Sequence, residues 1–192
     1  LNSQAARFLN GWLALTGDYA GLRLLPGYLE YRALVRAKVS LIRAHQPDAH
    51  PAERGKAAGA FDRDLALAER LAVAPSPLLV AVGGLSGSGK TTVAGALLEH
   101  LGAVRVRSDV ERKRLAAVAA GARRAAAFGT GLYAPEMTAR TYARLHEVAA
   151  TVLDAGYPVI VDAAMLRRAE RDALRELAAR LGLRIQVVWC EA

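Results

Sequence analysis

The spacing of apolar residues changes character near residue 75. Upstream, Tyr31, Leu34, Val35, Val39 and Ile42 recur at helical spacing. Pro26 suits the start of that helix, and Pro47 and Pro51 mark its end. A further helix is predicted over residues 52–73, although Gly55 and Gly59 weaken the pattern inside it. Ala74-Pro75-Ser76-Pro77 follows, a stiff stretch that neither a helix nor a strand interior tolerates. The chain is therefore predicted to divide into a helical segment (1–74), a linker (75–77) and a second region (78–192).

In the second region, short apolar runs alternate with helical patterns. Leu78–Val82 is a five-residue apolar run ending in glycines, which suits a buried parallel strand. Helix 91–101, strand 104–106 and helix 109–119 follow. The Gly121–Ala134 stretch is predicted to be a loop of unassigned form. A long helix over 135–155 places Tyr142, Leu145, Ala149 and Val152 on one face and stops at Gly156. Strand 159–161, helix 167–181 (Leu174, Leu177 and Leu181 aligned, then Gly182) and strand 184–190 complete the series. Such alternation predicts an α/β fold, a parallel sheet with helices on both faces, preceded by a helical segment.

Composition narrows the setting. Hydrophobic residues make up 53% of the 192, enough for a core. No run of 18 apolar residues and no basic-then-apolar leader is present, so the sequence predicts neither a membrane span nor a signal peptide. Cys190, the single cysteine, lies in an apolar run and reads as a small buried hydrophobe of a reducing, cytoplasmic protein. The net charge of +8 is spread along the chain without a block of like charge. It reads first as a solvated Arg/Glu helix surface, and leaves phosphorylated substrates or nucleic acid open as partners. The chain begins at Leu1 and stops just after the Ile185–Cys190 run. Both ends are expected to be cuts through something larger.

The strongest chemical signal is Gly84-Leu85-Ser86-Gly87-Ser88-Gly89-Lys90-Thr91, which fits G-x-x-x-x-G-K-[ST] at every fixed position. Glycines at 84, 87 and 89 let consecutive backbone N–H groups turn inward onto phosphate. The following helix aims its positive end at the same point. Lys90 would reach the β- and γ-phosphates of ATP, and the Thr91 hydroxyl would ligate Mg²⁺. Thr92 completes the predicted nucleotide-binding set. An apolar strand before the loop and a helix after it supply the context that the motif requires. The resulting class is a P-loop NTPase.

Three further clusters sit at strand ends, where α/β sheets bind ligands. Asp162 closes Val159-Ile160-Val161-Asp162 and suits a Mg²⁺-holding carboxylate, or else a turn cap. Asp109, in Ser108-Asp109-Val110-Glu111-Arg112, suits a base for a substrate hydroxyl, with Arg112 on the same helix face to hold substrate or phosphoryl group. A helix N-cap and a basic surface cluster explain the same residues, and the residues alone leave both readings open. Arg167, Arg168 and Arg171 follow Asp162 closely enough to reach phosphates, but a solvated helix face is the reading for at least two of the three. His146 has no second ligand at metal spacing.

On these residues the sequence resembles the P-loop kinases related to polynucleotide kinase, gluconate kinase and zeta toxin. The resemblance implies Asp109 as base and Arg112 as substrate or phosphate ligand. A closer resemblance is to the ATP-binding half of bifunctional aminoglycoside phosphotransferase/ATP-binding proteins. It rests on Gly131-Leu132-Tyr133, on Val159-Ile160-Val161-Asp162-Ala163 and on Leu166-Arg167-Arg168-Ala169-Glu170-Arg171. Thr16-Gly17-Asp18-Tyr19 and Tyr31–Lys38 resemble the end of their phosphotransferase half. Ala164 departs from that pattern, which usually has a polar residue there. A lid and a fifth strand, expected by resemblance, would follow Ala192. The implied activity is transfer of the ATP γ-phosphoryl group to a small hydroxylated acceptor, with Lys90, Asp109 and Arg112 as catalytic residues. A regulatory ATPase module without an acceptor and a nucleic-acid end kinase are the alternatives.

Overall fold

In the computed structural model, residues 3–73, 76–116 and 134–191 are described. Residues 121–133 of the loop expected over 121–134, including Gly131-Leu132-Tyr133, lie outside them. The helix predicted over 109–119 ends earlier than expected, at Leu115 with Ala116 as its C-cap, and residues 117–119 lie outside the described set. The chain forms two compact units, residues 21–74 and residues 1–20 with 75–192. The division departs from the expected single helical segment over 1–74, because the first helix belongs with the sheet.

The smaller unit is a helical hairpin of α2 (Leu25–Ala44) and α3 (Pro51–Ala72). Pro26 lies in the first turn of α2 and Pro51 opens α3, where the missing N–H costs nothing. The His50 ring caps α3 by accepting the Ala52 N–H at 3.3 Å. Close approach is made by Ala33 and Ala37 of α2 and Ala68 of α3, all buried. Arg36–Asp64 (3.0 Å) and Arg43–Glu53 (2.6 Å) are rungs between the antiparallel helices. Tyr31, Leu34, Val39 and Ile42, whose spacing predicts α2, are exposed.

The larger unit holds α1 (Ser3–Thr16), β1 (Leu79–Gly84), α4 (Lys90–Leu101), β2 (Val104–Arg107), α5 (Ser108–Leu115), α6 (Pro135–Asp154), β3 (Val159–Asp162), α7 (Arg168–Arg180) and β4 (Ile185–Cys190). The sheet order is β2-β3-β1-β4, and every pairing is parallel. β1 and β3 are central and buried along their whole length, which is why they read as unbroken apolar runs. Val80, Val82 and Ile160 pack with Ala94 and Leu98 of α4, Ala6 of α1 and Cys190. Leu79, Ala81, Val159 and Val161 point the opposite way and are also buried, so the two central strands are covered on both faces, whereas Val187 and Trp189 of β4 are exposed. The chain leaves β1 and β3 in opposite directions along the sheet. The crevice between their C-terminal ends is therefore the topological switch point.

Polar side chains fasten α1 to this unit. The Asn10 amide imitates a neighbouring strand at the edge of β2: it donates to the Ala103 carbonyl (2.9 Å) and accepts the Arg105 N–H (2.7 Å). Ser3 and Arg7 donate to Glu99 of α4 at 2.7 and 2.6 Å. Behind α5, Glu111 is 0% exposed and gathers the Tyr19 hydroxyl at 3.0 Å, Arg144 at 3.3 Å and Arg114. Arg114 also donates to the carbonyls of Leu13 (3.3 Å) and Ala14 (2.8 Å) at the end of α1.

A buried carboxylate satisfied by three donors costs most when it alone is removed. Glu111→Ala is expected to destabilise the larger unit by about 3 kcal/mol, the low end for such a loss, because both arginines can rehydrate. Urea unfolding followed by circular dichroism measures it. Tyr19→Phe should cost about 1 kcal/mol.

Candidate functional site

β1 delivers its C-terminal end directly into the glycine-rich loop. Gly84, Gly87 and Gly89 all have left-handed φ, at 138°, 85° and 80°. At Gly84 the demand is also steric: a Cβ would run into the Cys190 carbonyl oxygen and lie 2.8 Å from Ser88 Oγ. The Gly84 N–H donates to the Ala164 carbonyl at 3.1 Å, tying the loop to the turn after β3. Gly89 is the N-cap of α4 and, among the described residues, no side chain caps this helix, so its positive end is open to a ligand. The Lys90 ammonium reaches back across the loop to the Leu85 carbonyl. Ser88 Oγ is buried with no hydrogen-bond partner among the described residues. Left-handed glycines, an uncapped helix start and an orphaned hydroxyl form a cradle that fits a phosphate chain.

Beside the loop opens a cleft of about 250 Å³ lined by Ser86, Lys90, Ser108, Asp109, Arg112, Lys113 and Ala164. Together with Ser86 of the predicted nucleotide-binding set, the three predicted catalytic residues, Lys90, Asp109 and Arg112, thus converge on one space. They arrive from three places: the start of α4 and the first and second turns of α5. Three cations face one carboxylate there, so the cleft favours anionic groups. Asp109 pairs with Arg107 of β2 at 2.8 Å. Leu85, Ser86, Gly87 and Ser88 form the loop between β1 and α4.

Thr91, Thr92 and Asp162 do not line the cleft. Thr91 and Thr92 open onto a separate hollow with Gly95, Ala96, Glu99 and His100. Asp162 ends β3 in register with Val82 and is 7% exposed. Its Oδ2 accepts from Arg105 Nε at 3.0 Å and also from Arg105 Nη2. Among the described residues, no group of three or more His, Cys, Asp and Glu side chains is placed to hold a metal ion.

The turn after β3 carries residues that the sequence did not single out for a role. Met165 is buried with a left-handed φ of 51°, uncommon for a residue with a side chain. Two braces hold it. The Met165 N–H donates to the Tyr142 hydroxyl at 3.0 Å, and Arg171 donates to the Met165 and Leu166 carbonyls at 2.6 and 3.1 Å. The Arg171 guanidinium also lies 5.9 Å from the centre of the Trp189 ring. Arg171 is thus structural, whereas Arg168 pairs with Asp172 on an exposed face. The only sequence signals were the place of Tyr142 on an apolar helix stripe and a charged residue, Arg105, between two valines.

Burial pushes the Tyr142 phenol from its ordinary 10.0 up to about 12, with the Glu170 carboxylate adding to the effect. The folded chain then keeps a proton that the unfolded chain releases, so stability falls as pH rises from 10 towards 12. Tyr142→Phe should flatten that alkaline fall. At neutral pH it should cost about 1–2 kcal/mol, because the Met165 N–H loses its partner. Thermal unfolding across pH reads both effects.

A family model described as an AAA domain matches residues 79–192. The chain belongs to that family. An uncharacterized protein of Mycobacterium bovis is 32% identical over 174 residues, covering 90% of this chain and 33% of the relative. An uncharacterized protein of Mycobacterium tuberculosis matches to the same extent. The chain spans about a third of the length of these curated relatives. Among solved structures, the APS kinase of Mycobacterium tuberculosis is 28% identical, with 60% of this chain and 76% of that chain covered and a TM-score of 0.45. Among the described residues, no helix is long and apolar enough to cross a membrane.

Proposed function

We propose that this AAA-family chain binds Mg-ATP through Gly84–Thr91 and transfers the terminal phosphoryl group to a hydroxyl of a small acceptor. The observation that carries the reading is the shared cleft: Lys90, Asp109 and Arg112 line one space of about 250 Å³ beside the phosphate cradle. A cleft of that size suits a metabolite-sized acceptor rather than a polymer.

The acceptor hydroxyl would lie in the cleft with its proton directed at Asp109. Its oxygen forms the new bond to phosphorus while the bond from phosphorus to the β,γ-bridging oxygen breaks. The proton passes to the Asp109 carboxylate and ADP leaves. Lys90 releases the Leu85 carbonyl to engage phosphate oxygens, and Arg112 steadies the charge on the moving group. Thr91 and Asp162 would hold magnesium, which would supply charge neutralisation at the phosphate oxygens. The helical segment of residues 1–74 is read as the end of a phosphotransferase-like module, on the resemblance of Thr16-Gly17-Asp18-Tyr19 and Tyr31–Lys38 to such proteins. One buried cysteine suits a reducing, cytoplasmic setting.

Lys90→Ala is expected to weaken ATP binding at least tenfold by calorimetry. Asp109→Asn should leave ATP affinity nearly unchanged while slowing transfer by roughly a hundredfold or more. A screen of acceptors with γ-labelled ATP supplies the substrate for that assay. Undiminished ATP affinity after Lys90→Ala would place the nucleotide elsewhere. Full turnover after Asp109→Asn would favour an ATPase that needs no acceptor base.

A further inference from the structure

Asp162 stands where a metal-holding carboxylate is expected, yet it already has a cation. Arg105 reaches it from the neighbouring strand, and both of its donors land on Oδ2. The pair is secluded, with 12% of the Arg105 side chain and 9% of the Asp162 side chain exposed. Arg105 is also fixed at its root. Its residue pairs with Ile160 in the parallel ladder, and its N–H donates to Asn10 of α1 at 2.7 Å. The guanidinium is therefore set in place by the sheet and by α1.

A carboxylate neutralised in this way is a poor ligand for a free divalent cation. The ion would have to displace a guanidinium that has little water to retreat into. No cluster of acids stands by among the described residues to compensate. Nucleotide phosphates would change the balance, because the phosphate loop begins two residues beyond Val82, the register partner of Asp162, and they carry several negative oxygens. We propose that Arg105 is a built-in counter-ion of Asp162: it orients the carboxylate through Oδ2 and keeps free divalent cations off it, so the metal enters only together with nucleotide phosphates. Arg105 is then a positioning residue for the metal-holding acid. The inference rests on the reading of Asp162 given above.

Manganese is the probe, with free Mn²⁺ followed by electron paramagnetic resonance on the full chain. Without nucleotide, the unaltered protein should bind Mn²⁺ only weakly. With ADP present, binding beyond that of ADP alone should appear. Arg105→Met should raise nucleotide-free Mn²⁺ affinity at least tenfold, and adding Asp162→Asn should cancel the gain. Arg105→Lys, which keeps the charge but only one point of contact, should give a gain of a few fold and serves where the methionine variant does not fold. Tight Mn²⁺ binding by the unaltered chain without nucleotide would overturn the proposal, as would an unchanged affinity in the folded variants. If ADP and ATP do not bind at all, the phosphotransfer reading fails. The nucleotide-free comparison of Arg105 with its variants still decides the role of Arg105.

Discussion

Three strand ends meet at Gly84. Its Cα lies so close to the Cys190 carbonyl of β4 that a side chain has no room. Its N–H is taken by Ala164 beyond β3. The backbone must also turn into a left-handed φ there to begin the phosphate loop. Together these demands fix where the loop starts relative to the central strands. The start of α4, the reach of Lys90 and the position of the cleft then follow from chain geometry. The turn that supplies the Ala164 carbonyl is itself strained at Met165 and braced by Tyr142 and Arg171. Strain of this kind persists only where its surroundings over-determine it. The loop and its neighbouring turn are thus one rigid backbone assembly.

Charged groups inside the unit serve two different ends. Glu111 faces away from the cleft and binds α5 to α6 and to the segment ending at Tyr19. α5 has only eight residues, and Asp109 and Arg112 flank Glu111 on it. The buried anchor therefore sets how those two side chains are presented. Asp162 and Arg105 lie on adjacent strands and hold each other in register instead. In both places a secluded carboxylate is satisfied by guanidinium groups, whose planar forks suit such sites better than an ammonium does.

Local features were legible in the sequence. The phosphate loop is written in consecutive residues, and each strand and helix after residue 78 begins and ends within a residue or two of its expected position wherever it is described, except the helix expected over 109–119, which stops at Leu115. The strand-end rule also brought Lys90, Asp109 and Arg112 to one place, because parallel strands all present their C-terminal ends on the same side. Polar partnerships between distant residues were not legible. Asn10 with β2, Ser3 and Arg7 with Glu99, and Arg105 with Asp162 have no period and no spacing. The membership of α1 in the sheet unit rests on such contacts, so a boundary drawn from prolines alone missed it. The helical stripe of Tyr31 and Ile42 gave the right element, but small alanines make the hairpin contact.

The central claim is that nucleotide phosphates sit in the Gly84–Thr91 cradle and couple it to α5 and the turn after β3. Hydrogen–deuterium exchange of the whole chain, with and without Mg-ATP, tests this most directly. The account predicts added protection concentrated in residues 84–92, 107–113 and 162–166, with the hairpin of residues 25–72 unchanged. Protection confined to the hairpin, or no change on adding Mg-ATP at saturating concentration, would contradict it.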